Sequence, residues 1–170
     1  MIPTDPGTAV YTGSFDPITL GHMNIVERAS RLFRKLIVGV GTHAGKRALF
    51  TPDERAALID KVTRRYANVE TRQFSGLAVN FVRACGSRVM VRGVRPLTDI
   101  AAEFTMMMAN KQLDGDIETV FFMADEEYAH VSSSLIKQIT PLATDEQLSS
   151  FFPREIMPEL RRKISEKAKV

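Results

Sequence analysis

Five short apolar runs punctuate the chain, and between them the apolar positions spread out to a spacing of three or four. Ala9-Val10-Tyr11 is the first run and Leu36-Ile37-Val38-Gly39-Val40-Gly41 the second, the latter continuous as in a strand buried on both faces. Val69 to Phe74, Arg88 to Arg92 and Glu118 to Met123 complete the set. Leu20, Met23, Ile25, Val26, Ala29, Leu32 and Phe33 return at helical spacing and predict a first helix. A second opens at Thr51-Pro52-Asp53-Glu54, with Thr51 as N-cap, Pro52 at the first helical position and Glu54 closing a capping box. It is expected to run to about Tyr66, with Ala57, Leu58, Val62 and Tyr66 inward. After the Ser75-Gly76 turn a third helix spans Leu77 to Cys85, and a long fourth spans Thr98 to Leu113, ended by Gly115. The fourth carries Met106-Met107-Met108, assigned to core packing or a subunit contact. Ser132-Ser133-Ser134 caps a fifth helix through Ile139, and from Thr144 the chain reads as short helices broken by Pro153 and Pro158.

Strand and helix alternate five times, which predicts an α/β fold: a doubly wound, parallel, five-stranded sheet with helices on both faces and further helices at the C-terminus. A length of 170 residues suits one domain spanning 1–170, the first eight residues forming a flexible extension. Apolar content of 44% and charged content of 25% are those of an ordinary globular chain. The net charge of +3 is concentrated in the basic tail around Arg161-Arg162-Lys163, with no basic stripe interleaved with aromatics, which argues against nucleic acid as a partner. Cys85, the single cysteine, excludes a disulfide framework and reads as a small buried apolar residue. The N-terminal residues lack the charged and apolar regions of a secretion signal, and no apolar run has membrane-spanning length. A cytoplasmic location is expected.

In such sheets ligands bind beyond the carboxyl ends of the strands, so the loops there carry the candidate chemistry. The first is the richest: Thr12-Gly-Ser-Phe-Asp-Pro-Ile-Thr-Leu-Gly-His22 joins a strand to a helix start, where unpaired N–H groups and the helix dipole favour an anion. Thr19 and His22, three residues apart, would face that anion together. Lys46 follows the second strand, Arg92 and Arg95 flank Gly93-Val94 at the end of the fourth, and Tyr128 with the three serines follows the fifth. All are donors or cations, a set that suits a nucleoside triphosphate meeting a second phosphate. Each alone has a plainer reading: a helix cap for Ser132–Ser134, surface arginines, a solvated lysine. His43 and His130 have no obvious partners, and no metal-ligand spacing links the histidines.

Thr19-Leu20-Gly21-His22 resembles the Thr/His-x-Gly-His signature of the nucleotidylyltransferase superfamily, whose domain is Rossmann-like. The likeness extends further: Gly-Ser-Phe-Asp-Pro-Ile-Thr-Leu-Gly-His, Phe50-Thr51-Pro52-Asp53-Glu54-Arg55, Arg92-Gly93-Val94-Arg95 and Ser132-Ser133-Ser134-Leu135-Ile136-Lys137 stand in the order seen in phosphopantetheine adenylyltransferases. That resemblance, covering about Ala9 to Phe152, implies AMP transfer from ATP to 4′-phosphopantetheine with Mg²⁺, the penultimate step of coenzyme A synthesis, in a homohexamer built from two trimers. It implies that Ser14 and Phe15 bind ATP, that Ser14 also touches the acceptor phosphate, and that His22 contacts the ATP phosphates and stabilises the transition state. Lys46 and Arg92 would hold the phosphopantetheine phosphate, Lys46 and Arg95 would assist catalysis, and Ala78 would line the pantetheine arm through its backbone. Gly93, Val94, Arg95, Glu103 and the stretch Tyr128, Ala129, His130, Val131, Ser132, Ser133 and Ser134 would hold ATP. Ser14 stands where many members have Thr, and Ile100-Ala101-Ala102 replaces a run that is often aromatic and acidic.

Four other readings are weaker. A cytidylyltransferase or pyridine-nucleotide adenylyltransferase lacks the Arg-Gly-x-Arg element in this form. Gly39-Val40-Gly41-Thr42-His43-Ala44 matches a dinucleotide fingerprint, but it lies on the second strand and the next helix starts only near Thr51. A phosphate-binding P-loop is absent, because Gly45-Lys46 lacks the upstream glycine. A non-catalytic ligand-binding or scaffold protein is the remaining alternative.

Overall fold

A computed structural model describes residues 5–42, 48–95 and 99–167. Five parallel strands, β1 (Thr8–Gly13), β2 (Lys35–Thr42), β3 (Val69–Ser75), β4 (Val89–Val94) and β5 (Glu118–Met123), lie in the order β3-β2-β1-β4-β5. Helices α1 (Leu20–Leu32), α2 (Pro52–Thr63), α3 (Ala78–Ala84), α4 (Ile100–Leu113), α5 (Ser133–Ile139), α6 (Asp145–Leu148) and α7 (Met157–Lys167) fill the connections and the C-terminal end. Winding runs outward from β1 through β2 to β3, then back across to β4 and β5. The direction of winding therefore reverses between β1 and β4.

Strand alternation distributes the core. Ala9 and Tyr11 of β1, Leu36, Val38 and Val40 of β2 and Val91 of β4 face α1, α2, α5 and α7. Val10, Ile37 and Met90 face the other way, onto Val79 and Val82 of α3. Both faces are covered, so β1 is buried from Thr8 to Thr12 and needs no polar face. Gly39 has a packing reason. A Cβ there would meet Phe81 at 2.4 Å, because Phe81 and Phe74 stack over the strand with centroids 4.4 Å apart. The fingerprint-like glycines thus serve sheet packing.

Several expectations shift. The α2 capping box forms as read, with Thr51 Oγ1 accepting from Glu54 N and Glu54 Oε2 from Thr51 N, but the helix stops at Thr63. Ala57 is exposed, whereas Arg55 and Ile59 join Leu58 and Val62 on the buried side. Pro158 sits in the first turn of α7 and starts that helix instead of breaking it, since the first turn needs no donor there. Asp5 to Thr8, expected to be flexible, are held. Asp5 N donates to the Gly86 carbonyl, and the Asp5 carboxylate accepts from Gly7 N, Thr8 Oγ1 and Arg34.

The methionine cluster is not core. Of α4 only Asn110 is buried, while Ile100, Phe104, Met106, Met108 and Leu113 are each about half exposed. Cys85 is half-buried beside α3, more open than expected. His43 and Lys46 lie outside the described residues. Among the described residues no helix is long and apolar enough to cross a membrane.

Candidate active site

A cavity of about 310 Å³ opens where the winding reverses, at the carboxyl ends of β1 and β4. Its floor is Tyr11 to Phe15, one wall is Gly21, His22 and Ile25 of α1, and the opposite wall is Arg92 to Arg95 with Asp99 and Glu103. Tyr128, Val131 and the three serines close the rim. Ala78, Ala129 and His130 do not line it; the exposed His130 ring packs edge-on against Phe151 at 5.6 Å.

His22 is fixed by an unusual helix cap. Thr19 is the N-cap of α1, and its Oγ1 accepts from His22 N at 3.2 Å. In return His22 Nδ1 accepts from Thr19 N at 3.1 Å, the role that Glu or Gln ordinarily fills in a capping box. Thr19 is only 1% exposed, so its hydroxyl serves the cap and not a ligand, contrary to the sequence expectation. With Nδ1 occupied as an acceptor, the neutral ring carries its hydrogen on Nε2. Phe15 meets the imidazole edge-on at 5.0 Å and is itself backed edge-on by Tyr11 at 5.1 Å, so the ring is buttressed on that side.

Burial, followed by the charges of Arg95 and Arg92, pushes the His22 pKa down to about 4. The sign for stability follows. Between pH 4 and its ordinary value near 6.5 the unfolded chain takes up this proton and the folded one does not, so stability rises with pH across that window. The contribution is about 3 kcal/mol, present in full above 6.5 and lost as pH falls to 4. Thermal unfolding from pH 7 to 4 should therefore show a steeper decline for the wild type than for His22→Gln. Parallel profiles would mean that the imidazole is not held neutral.

The two arginines are not free cations. Arg92 grips Glu103 through Nε (2.7 Å) and Nη2 (2.5 Å), and its Nη1 donates to the Thr12 carbonyl at 2.5 Å. Arg95 grips Asp99 through Nε (2.7 Å) and Nη2 (2.6 Å) and reaches the Val131 carbonyl at 3.4 Å. Bidentate pairing fixes both forks and leaves only their outer N–H groups for a ligand. Glu103 thus first appears as the residue that orients Arg92.

Other expected ligands are also partly committed. Phe15 is 2% exposed and in the left-handed region with φ of 47°, so it offers backbone and not ring to a ligand. Ser132 Oγ caps Leu135 N at 3.1 Å, and Ser133 Oγ donates to the Pro17 carbonyl at 2.8 Å. Ser134 is exposed at the rim. Gly93 and Val94 carry the last turn of β4 into the wall.

Sequence reasoning missed Asp16. Its carboxylate accepts from Leu49 N (2.8 Å), Phe50 N (2.9 Å) and Lys137 Nζ (3.1 Å), tying the anion loop to the start of α2 and to α5. The residue was visible in the Asp-Pro bend, but its partners lie 33 to 121 positions away.

A sheet reversing at such a site, with a capped His-bearing helix and paired arginines, defines a nucleotidyltransferase. The cytidylyltransferase-like family model matches residues 10–139. The chain belongs to the phosphopantetheine adenylyltransferase family. It is 61% identical over 158 residues to the Rhodopirellula baltica phosphopantetheine adenylyltransferase, covering 92% of this chain and 88% of that one. The Clostridium botulinum protein of the same name is 44% identical over 160 residues, covering 94% and 96%. A solved Plasmodium falciparum nicotinic acid mononucleotide adenylyltransferase, complexed with NaAD, shares the fold with a TM-score of 0.69 at 11% identity, covering 96% of each chain.

Proposed function

We propose that the chain transfers AMP from ATP to the phosphate of 4′-phosphopantetheine, giving dephospho-coenzyme A and pyrophosphate. An acceptor phosphate oxygen attacks the α-phosphorus as the bond to the β-phosphate breaks, and pyrophosphate leaves. The carrying observation is the neutral, locked His22 in a wall opposite Arg92 and Arg95, a donor set aimed at charge and not at proton removal. The acceptor is already anionic, so alignment and charge stabilisation suffice. The hydroxyl beside the His22 ring belongs to Thr19 and is spent on the cap, which supports attack without a covalent intermediate. The names of the relatives at 61% and 44% identity support the acceptor.

In this reading Lys46, Arg92 and Ser14 hold the acceptor phosphate, and Gly93 to Arg95, Glu103, Tyr128 and the rim from Val131 to Ser134 hold ATP. Ala78 lines the pantetheine arm. Asp99 and Glu103 are engaged by arginines, and no three His, Cys, Asp or Glu side chains among the described residues are grouped to hold an ion. These residues fit a Mg²⁺ that arrives on the triphosphate with phosphate and water ligands. Bound there, it would neutralise phosphate charge. The half-exposed apolar face of α4 supports association into a hexamer of two trimers. The reading places the enzyme in the cytoplasm, acting on small phosphorylated substrates, with neither nucleic acid nor membrane as partner.

The test is pyrophosphate release from ATP and Mg²⁺, with 4′-phosphopantetheine and nicotinamide mononucleotide offered separately. Release with the first alone is expected. Release with the second alone would keep the chemistry and overturn the acceptor; silence with both, from folded protein, would overturn the reaction.

A further inference from the structure

The Phe50-to-Arg55 motif contributes one side chain that the reaction above leaves unused. Arg55 sits in the first turn of α2 and is 4% exposed. Its Nη1 donates to the Ser14 carbonyl at 2.7 Å and to the Gly41 carbonyl at 3.0 Å, while its buried Nε has no acceptor among the described residues. The other cations at this end of the sheet are neutralised: Arg92 by Glu103, Arg95 by Asp99, Lys137 by Asp16. Arg55 forms no ion pair among the described residues, so its charge stays uncompensated directly behind the anion loop.

A structural tie alone does not explain such a residue. Burying a cation without a carboxylate is costly, and a positive charge in a helix's first turn opposes the dipole. A neutral donor would bridge two carbonyls at less cost, and Asp16 already ties the same loop to Leu49 and Phe50. The position of the charge matters. The Ser14 carbonyl and the Phe15 N–H belong to one peptide unit, so a guanidinium drawing on the oxygen polarises the N–H. Phe15 lines the cavity from a left-handed turn, and its N–H donates to no described residue. Gly41, the second carbonyl held, lies just before segment 43–47, which carries Lys46.

We infer that Arg55 is a positioning residue for the transfer, resting on the adenylyltransferase reading above. From behind the loop it fixes the Ser14–Phe15 peptide, sharpens the Phe15 N–H as a phosphate donor, and ties that peptide to the Gly41 carbonyl near the end of β2.

The test compares wild type, Arg55→Lys and Arg55→Ala in steady-state pyrophosphate release with ATP and 4′-phosphopantetheine, alongside thermal unfolding. Loss of one polarised donor predicts a fall in kcat of about 10–100-fold for Arg55→Ala, with either KM moving less than about threefold. Methylguanidinium is expected to restore at least about tenfold of that kcat, because it refills the fork. Arg55→Lys keeps the charge but not the two-carbonyl geometry, and is expected to fold and to lose about tenfold in kcat. Should Arg55→Ala fail to fold, Arg55→Lys carries the test. Wild-type kcat in either folded variant overturns the role, as does a folded Arg55→Ala that loses kcat without methylguanidinium rescue. A silent wild-type protein would sink the transferase reading, and this role with it.

Discussion

His22→Ala is expected to lower kcat for pyrophosphate release by about 10²–10³-fold, the usual cost of removing one donor to transition-state charge. Because the donor acts on charge that develops during transfer, kcat and kcat/KM should fall together while KM changes little. The fold should survive. The loss of the Thr19–His22 cap and of the packed imidazole should cost about 1–2 kcal/mol, a drop of a few degrees in Tm. His22→Gln separates the two roles. Glutamine at this helix position can return the capping bond to Thr19 N, so stability should recover, yet it cannot place a ring N–H where Nε2 stands. Near-wild-type turnover in either variant would remove His22 from the mechanism.

The largest stability loss is expected from Asp16→Ala. That change strands two buried backbone N–H groups, of Leu49 and Phe50, and the ammonium of Lys137. Two buried donors left without an acceptor cost about 1–3 kcal/mol each, or roughly 4–24 °C in Tm together for a chain of this size, and the partly exposed Lys137 adds less. Activity should fall as well, since the start of α2 is held to the anion loop through this carboxylate. Adding Lys137→Met to Asp16→Ala should recover part of the loss, because the stranded ammonium is part of the penalty. Strict additivity of the two changes in Tm and kcat would show that the pair is not coupled.

The parts of the site legible in the sequence are local. Thr19 and His22 are three residues apart on one helix start, so their mutual contact follows from helical geometry, as does the Thr51–Glu54 box. Arg92, Arg95 and Glu103 read from the sequence as separate ligands. The Arg92–Glu103 pairing required the angle between β4 and α4, which no spacing encodes, whereas Arg95 and Asp99 stand only four residues apart and their pairing is local. Arg55 offered a faint signal: it shares a helical face with Leu58, Ile59 and Val62, an odd place for a cation that serves only solvent. Met106 to Met108 misled in the other direction, because an apolar run on a helix says that a face wants covering, not by what.

By itself the sequence determined the alternation of strand and helix, the parallel sheet, the caps and the family, since these depend on neighbours within a few residues or on a motif read whole. Only the tertiary structure decided which strands stand beside β1, and so where the winding reverses and the cavity opens. It also decided which cations arrive with a carboxylate and which, as Arg55, keep their charge. That division is physical. Hydrogen bonding and side-chain periodicity act along the chain, and so does the Arg95–Asp99 pair, whereas the compensation of Arg92 and of Lys137 depends on residues brought together from 11 and 121 positions apart.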